Sequence, residues 1–283
     1  MIYIISSKNT AALKKNLGLN KKNTKVELLP QLPKGYKPQK DDQVYIDISG
    51  LDKKSFAEAL DLIKEKTDSG KDYNEGTAKG SAEEKRKKPK LPAGKFKDWK
   101  SVRAGTTAAF FFLFVSLSGK ANLRAMLGEA GFTELKNRLR DVLQQNFAEA
   151  DALLWMETEG NNLLLVPPSA SGGRAAIEAA LKMILNSPLI IIENLNLSIP
   201  AELTFALHYG QTIYQAPGKT GEVISESVNY IFHLGTKRAE TGKLTISDDV
   251  PDEIIPKGLQ DLFVPAGVFE GIPISQSKRF IYK

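Results

Sequence analysis

The hydrophobic pattern divides this chain into three regions. Residues 101–283 carry apolar runs with the spacing of strands and helices, and residues 1–67 carry shorter runs of the same kind. Residues 68–100 are rich in Gly, Lys and Glu and almost lack aliphatic side chains, which is typical of a linker. We therefore expect a small domain at 1–67, a flexible charged linker at 68–100 and a larger domain at 101–283.

The larger domain is predicted to begin with a strand that is buried on both faces. The apolar run AAFFFLFVSL at 108–117 is too short to span a bilayer as a helix, which needs roughly 20 residues. A helix at 123–147 follows, and Gly160-Asn161 predicts a tight turn between two further strands. The order of elements predicts an α+β, ferredoxin-like fold with appended strands. The remaining expected elements are strands at 152–157, 162–166, 203–209 and 244–247, helices at 173–185 and 225–239, and apolar segments at 262–269 and 277–282.

The first 67 residues predict a small α/β unit. Strands at 2–5, 26–29 and 43–48 alternate with helices at 10–17 and 54–66, an order that favours parallel pairing. Asp47 lies near a strand end, where response-regulator receivers carry their phospho-accepting aspartate. Ser6-Ser7 ends the first strand, however, without the acidic pair that would hold a metal there. We interpret Asp47 as a polar strand-end residue and keep a receiver-like domain as the alternative.

The net charge of +6 is concentrated in the first third of the chain. Residues 1–100 carry 23 Lys and Arg against 14 Asp and Glu, whereas residues 101–283 carry 16 against 19. The run KRKKPK at 85–90 has the charge to contact the phosphates of nucleic acid or lipid. It has no interleaved aromatic side chains for base stacking, so a solvated tether is the preferred interpretation.

The residue inventory excludes several kinds of site. The chain has no cysteine and only two histidines, His208 and His233. Disulfides, thiolate nucleophiles, cysteine zinc sites and multi-histidine metal sites are therefore excluded. No signal sequence is visible at the N-terminus, and we expect a cytoplasmic protein.

Five segments of residues 108–283 carry motifs that point to one family: FFLFVSLSG at 111–119, TEGNNLLLVPPS at 158–169, FALHYGQTIY at 205–214, GEVISESVNYIFHL at 221–234 and AETGKLTIS at 239–247. Together they resemble the catalytic domain of class III nucleotidyl cyclases, the adenylyl and guanylyl cyclases. In that family they are a strand before Asp-Ile-x-Gly, a Gly-Asp-Gly hairpin, a Gly-Ile-His-x-Gly strand, a helix with Val-Asn-x-Ala-x-Arg-Leu and the strand after it. No single motif is specific, but together they cover nearly all of the domain.

The resemblance implies a site for two magnesium or manganese ions, held in the family by two aspartates. Those positions fall on Ser116 and Asn161, which carry no charge. A hard divalent ion beside a triphosphate needs anionic oxygens, so we expect the metal ligands to be lost. The acidic residues near the hairpin, Asp151, Glu157 and Glu159, are the alternative source of carboxylates.

Four further positions are implied by the resemblance. Asn229 matches the family asparagine that orients the ribose, and His233 stands where the family has the arginine that stabilises the transferring phosphoryl group. A neutral imidazole lacks the bidentate fork of arginine. The two base-selecting positions fall on Glu157, which reverses the usual charge, and Thr220, which is compatible with the family.

Our interpretation is a catalytically degenerate cyclase-like domain that acts as a dimerising regulatory module. Its expected partner is a second copy or another cyclase-like chain, with weak ATP or GTP binding retained at most. No cofactor is expected, and Mg²⁺ or Mn²⁺ is implied only if the domain is active. The alternatives are an active adenylyl or guanylyl cyclase, a phosphorus–oxygen lyase, with altered metal ligands, and a nucleic-acid or membrane-surface binder that uses the run at 85–90.

Overall fold

The computed structural model describes residues 2–5, 26–29, 43–46, 88–92, 96–197, 201–220 and 225–279. The helices expected at 10–17 and 54–66, Asp47, and the first part of the basic run lie outside these residues. The three N-terminal strands are β1 (Ile2–Ile5), β2 (Val26–Leu29) and β3 (Gln43–Ile46). They form a parallel sheet in the order β2-β1-β3, as the alternation of strand and helix predicts.

A seven-stranded sheet forms the centre of the larger domain, in the order β5-β6-β4-β7-β8-β10-β9. Its middle strand β4 pairs antiparallel with β6 and β7, and β7 pairs parallel with β8. The α+β expectation is therefore confirmed. The strands are β4 (Thr107–Leu117), β5 (Leu153–Thr158), β6 (Asn161–Val166), β7 (Leu203–Ile213), β8 (Leu244–Ser247), β9 (Phe263–Phe269) and β10 (Ile272–Ser277).

Three helices cover the two faces of this sheet: α1 (Lys120–Asn146), α2 (Ala170–Leu185) and α3 (Glu226–Lys237). Alternate residues of β4 divide between two cores. Phe111, Leu113 and Val115 lie in the core that includes residues of α1 and α2, while Phe110, Phe112 and Phe114 lie in the core that includes residues of α3. This two-sided burial explains why β4 is an unbroken apolar run.

Two features of α1 and α2 were not expected. Gly128 has φ 69° and ψ 173° and so kinks α1 after its first two turns. After α2, residues Ser187–Leu189 and Ile190–Asn194 continue as short helical segments. Among the described residues, no single helix is long and apolar enough to cross a membrane; α2 and Ser187–Asn194 reach that length and composition only as a pair bent by 66°.

Of the two apolar segments expected at the C-terminus, the one at 262–269 is the strand β9, but the one at 277–282 does not coincide with the strand β10. The second strand of the final hairpin, β10, begins at Ile272, five residues before the segment expected at 277–282. Its polar residues hid the strand pattern, because Gln276 is buried but donates to the Arg238 carbonyl and the Thr245 hydroxyl. A buried amide with two partners costs far less than one without.

The end of the segment expected to be a tether contacts the domain. The Lys88 ammonium lies 2.7 Å from both Asp248 Oδ1 and Asp252 Oδ1. Leu91 packs against the core beneath α1 and α2. Trp99 stacks on Phe110, with 5.7 Å between ring centroids, and its indole N–H donates to the Asp151 carbonyl at 2.8 Å. Residues on both sides of 93–95 are therefore attached to the domain.

Candidate functional site

The end of β4 and the start of β6 bring Ser116 and Asn161 together. The two residues are direct partners in the antiparallel register. The turn before Asn161 has positive φ at both Glu159 (44°) and Gly160 (82°), the conformation of a tight two-residue hairpin. The Ser116 hydroxyl is buried and donates to Asn161 Oδ1 at 2.9 Å. The structure thus places the two positions of the expected metal site side by side.

Lys120, the first residue of α1, contacts both side chains. Its ammonium donates to Ser116 Oγ at 3.1 Å and also donates to Asn161 Oδ1. Burial lowers the pKa of the Lys120 ammonium, and the charge of Glu159 acts in the opposite direction. We call Ser116, Lys120 and Asn161 the lysine cluster.

The lysine cluster does not fit a magnesium or manganese ion. Such an ion prefers several oxygen ligands, including carboxylates, whereas this site offers one hydroxyl, one amide and a positive charge. Within the described parts of the chain, no three His, Asp or Glu residues are grouped to hold a metal. The acidic alternatives do not supply such a group, and Glu159 instead lies 4.0 Å from the Arg124 guanidinium.

Glu157, which the resemblance assigns to a base-selecting position, forms an ion pair within this domain. The Nε atom of Arg140, on α1, donates to both carboxylate oxygens at 3.0 and 3.1 Å, and Nη2 lies 2.9 Å from Oε2. Hydrogen bonding to Glu157 raises the pKa of Arg140. Thr220, the second position that the resemblance assigns to base selection, is buried, and residues 221–224 after it are not described.

Helix α3 carries Asn229 and His233 on one exposed face, four residues apart. His233 Nδ1 lies 2.9 Å from the carboxylate of Glu270, which stands at the turn between β9 and β10 with φ 48°. The residue at the position of the family arginine is therefore held by an acidic side chain of the same domain.

The other histidine has a structural role. His208 is buried, with Nδ1 2.8 Å from Ser247 Oγ and its ring 4.7 Å from the ring of Tyr230. Gly210 is close-packed beside it, because a Cβ there would lie 2.2 Å from Ser227 Oγ. His208 is therefore a buried, hydrogen-bonded residue of the core.

Sequence reasoning missed three residues of this region: Lys120, Arg140 and Glu270. Lys120 left one usable signal. A positive charge in the first turn of a helix interacts unfavourably with the helix dipole. A lysine at that position therefore suggests that a nearby polar group stabilises its charge. Arg140 and Glu270 are exposed charged residues, one in a long helix and one in a turn, and nothing in the sequence distinguishes them from solvated side chains.

Comparison with known proteins gave matches at the level of structure alone. No family model and no curated protein matches the chain. The guanylyl cyclase Cya2 aligns with 14% identity over 62% of this chain and 93% of its own, with a TM-score of 0.49. The guanylate cyclase domain of RhGC from Catenaria anguillulae, in complex with GTP, aligns with 11% identity over 60% of this chain and 96% of its own, with a TM-score of 0.48. The adenylyl cyclase CyaB from P. aeruginosa aligns with 16% identity over 62% of this chain and 98% of its own, with a TM-score of 0.46.

The chain is similar to nucleotide cyclase domains. The order of the described elements from β4 to β8, strand, helix, hairpin, helix, strand, helix and strand, is the order predicted from the sequence. At these identities the likeness concerns the fold. The chemistry of the site must be derived from the side chains that are present.

Proposed function

We propose that this chain is a catalytically degenerate cyclase-like protein whose folded domain acts as a dimerising regulatory module. The observation that supports this most is the lysine cluster. A cation and two neutral side chains occupy the positions where the resemblance implies metal-binding aspartates. A triphosphate at this site would lack the divalent ions that neutralise its charge in the family.

The transition-state and base-selecting positions support the same proposal. His233 faces the Glu270 carboxylate, and Glu157 is bound by Arg140. A nucleotide would have to displace these partners or bind beside two added negative charges. Retained nucleotide binding through Asn229 and Thr220 would therefore be weak.

Dimerisation is proposed from the exposed face of α3. The family forms its sites between two protomers, and one protomer contributes the asparagine and arginine positions. Here Asn229 and His233 project from the domain surface, and residues of the opposite face of α3, such as Ile231 and Leu234, are buried. We expect the partner, a second copy or another cyclase-like chain, to cover this face.

The contacts of Lys88 favour attachment of the basic run at 85–90 to the domain over its binding to nucleic acid or membranes. Lys88, which lies in this run, is paired with Asp248 and Asp252. Burial acts to lower the pKa of Lys88, but the hydrogen bonds that its ammonium donates to both carboxylates raise it above the usual value. The charge of at least this one lysine of the basic run is therefore already neutralised by carboxylates of the domain.

Sedimentation velocity tests the dimerisation proposal. We expect the full chain to sediment as a dimer and Asn229→Arg to raise the dissociation constant at least tenfold, about 1.4 kcal/mol, because it adds a charge to the covered face. Gln260→Arg is the matched control, since it adds the same charge at an exposed residue whose neighbours Leu259 and Leu262 pack in the core beneath α1 and α2. A chain that stays monomeric, or equal effects of the two variants, would contradict self-pairing through α3.

A further inference from the structure

We propose that Lys120 is the resident cation of this site and excludes divalent metal ions from it. Its ammonium lies between the two strand ends that the resemblance assigns to metal ligands. This inference rests on the proposed function and goes beyond it, because it names the group that takes the place of the metal and predicts what its removal would do.

The geometry holds the ammonium at the strand ends. Ser116 comes from the end of β4 and Asn161 from the start of β6, and Lys120 bonds to both. The lysine stem passes beneath the hairpin turn, because a Cβ on Gly160 would lie 3.0 Å from Lys120 Cδ. The alkyl chain of Lys120 therefore packs against the turn, and its ammonium is held by hydrogen bonds to Ser116 and Asn161.

The bonding requirements of an ammonium match what the two side chains offer. It carries one positive charge and donates directional hydrogen bonds, which a neutral hydroxyl and a neutral amide oxygen accept well. A divalent ion at the same point would need several more oxygens and negative charge. One lysine thus provides a charged bridge between β4 and β6 without aspartates.

Among the residues that the structure describes, the ion pairs around Lys120 leave no unbalanced negative charge for a second cation. Glu159 faces Lys120 and also lies 4.0 Å from Arg124 Nη2, while Arg124 Nε lies 3.3 Å from Glu129. Two cations and two carboxylates therefore balance at this end of the domain. A metal ion entering beside Lys120 would meet a like charge with no compensating ligand.

Manganese binding to three full-length proteins tests the proposal. They are the unaltered chain, the double variant Ser116→Asp/Asn161→Asp, and a triple variant that adds Lys120→Met to the double variant. The free Mn²⁺ signal in electron paramagnetic resonance gives the bound fraction in each. We expect no saturable binding at this site in the unaltered chain and only weak binding in the double variant, because Lys120 neutralises one of the two new carboxylates and repels the ion. The triple variant should bind Mn²⁺ at least about tenfold more tightly than the double variant, since a like charge close to the ion has been removed.

Two results would overturn the proposal. One is equal Mn²⁺ affinity of the double and triple variants. The other is one saturable Mn²⁺ site in the unaltered chain that Ser116→Ala/Asn161→Ala removes. Circular dichroism monitors folding, and if the paired aspartates prevent folding, Ser116→Asp alone with and without Lys120→Met makes the same comparison. Cyclic nucleotide production is a separate readout. Mn²⁺ binding at this site without turnover overturns the inference about Lys120 alone, whereas turnover despite Mn²⁺ exclusion overturns the proposed function alone.

Discussion

Trp155→Ala is expected to lower the free energy of unfolding by about 3–5 kcal/mol, the usual cost of removing a large aromatic side chain from a core. Trp155 is fully buried on β5 in the core beneath α3. Its indole N–H also donates to the carbonyl of Gln215 at 2.6 Å, in the loop after β7. The alanine variant loses the packing and leaves that carbonyl without its partner.

Urea unfolding followed by circular dichroism measures this change. Trp155→Phe should cost less than the alanine variant, because most of the aromatic packing remains. Met126→Ala is the control for removal of an apolar side chain at an exposed position, with Met126 58% exposed, and should change the free energy by no more than about 0.5 kcal/mol. A loss below 1 kcal/mol in Trp155→Ala would show that β5 is not packed as described.

Gly235→Ala is expected to destabilise the domain by about 2 kcal/mol. This loss is expected even though alanine is more favourable than glycine within a helix by about 1 kcal/mol. A Cβ on Gly235 would lie 2.1 Å from Cδ1 of the Phe114 ring, which is fully buried in β4. The absence of a side chain at residue 235 therefore lets α3, which carries Asn229 and His233, approach the sheet. The added methyl group would push α3 away from it.

Thermal unfolding of matched glycine variants separates crowding from helix propensity. Gly258→Ala is the control, because a Cβ there would have no atom within 4 Å. We expect a clear fall in Tm for Gly235→Ala and a small change for Gly258→Ala. A Tm for Gly235→Ala at or above that of the unaltered chain would contradict the close contact between α3 and β4.

The sequence predicted most of the domain because its strands and helices have strong local patterns. The run at 108–117 is β4, and the turn at Gly160 joins β5 to β6 as expected. Local patterns do not indicate long-range partners. The strand β10 was missed because its buried Gln276 depends on partners in β8 and after α3, which no window of the sequence contains.

The sequence indicated that Ser116 and Asn161 lie close together, but it did not indicate which side chains they contact. The family motifs placed Ser116 and Asn161 at one site, and the register of β4 and β6 makes them neighbours. Lys120 was overlooked because a lysine at a helix start looks solvated until the hairpin is brought beside it. The pairing of Glu157 with Arg140 likewise depends on how α1 crosses the sheet.

The measurement that tests the central claim most directly is an assay for cyclic product. The full chain is incubated with ATP or GTP and Mn²⁺, and cyclic AMP and cyclic GMP are quantified by mass spectrometry beside an Asn229→Ala variant. We predict no product above the buffer background for either protein, because the site holds a lysine in place of metal ligands. Turnover by the unaltered chain that Asn229→Ala abolishes would contradict a degenerate site and establish an active cyclase.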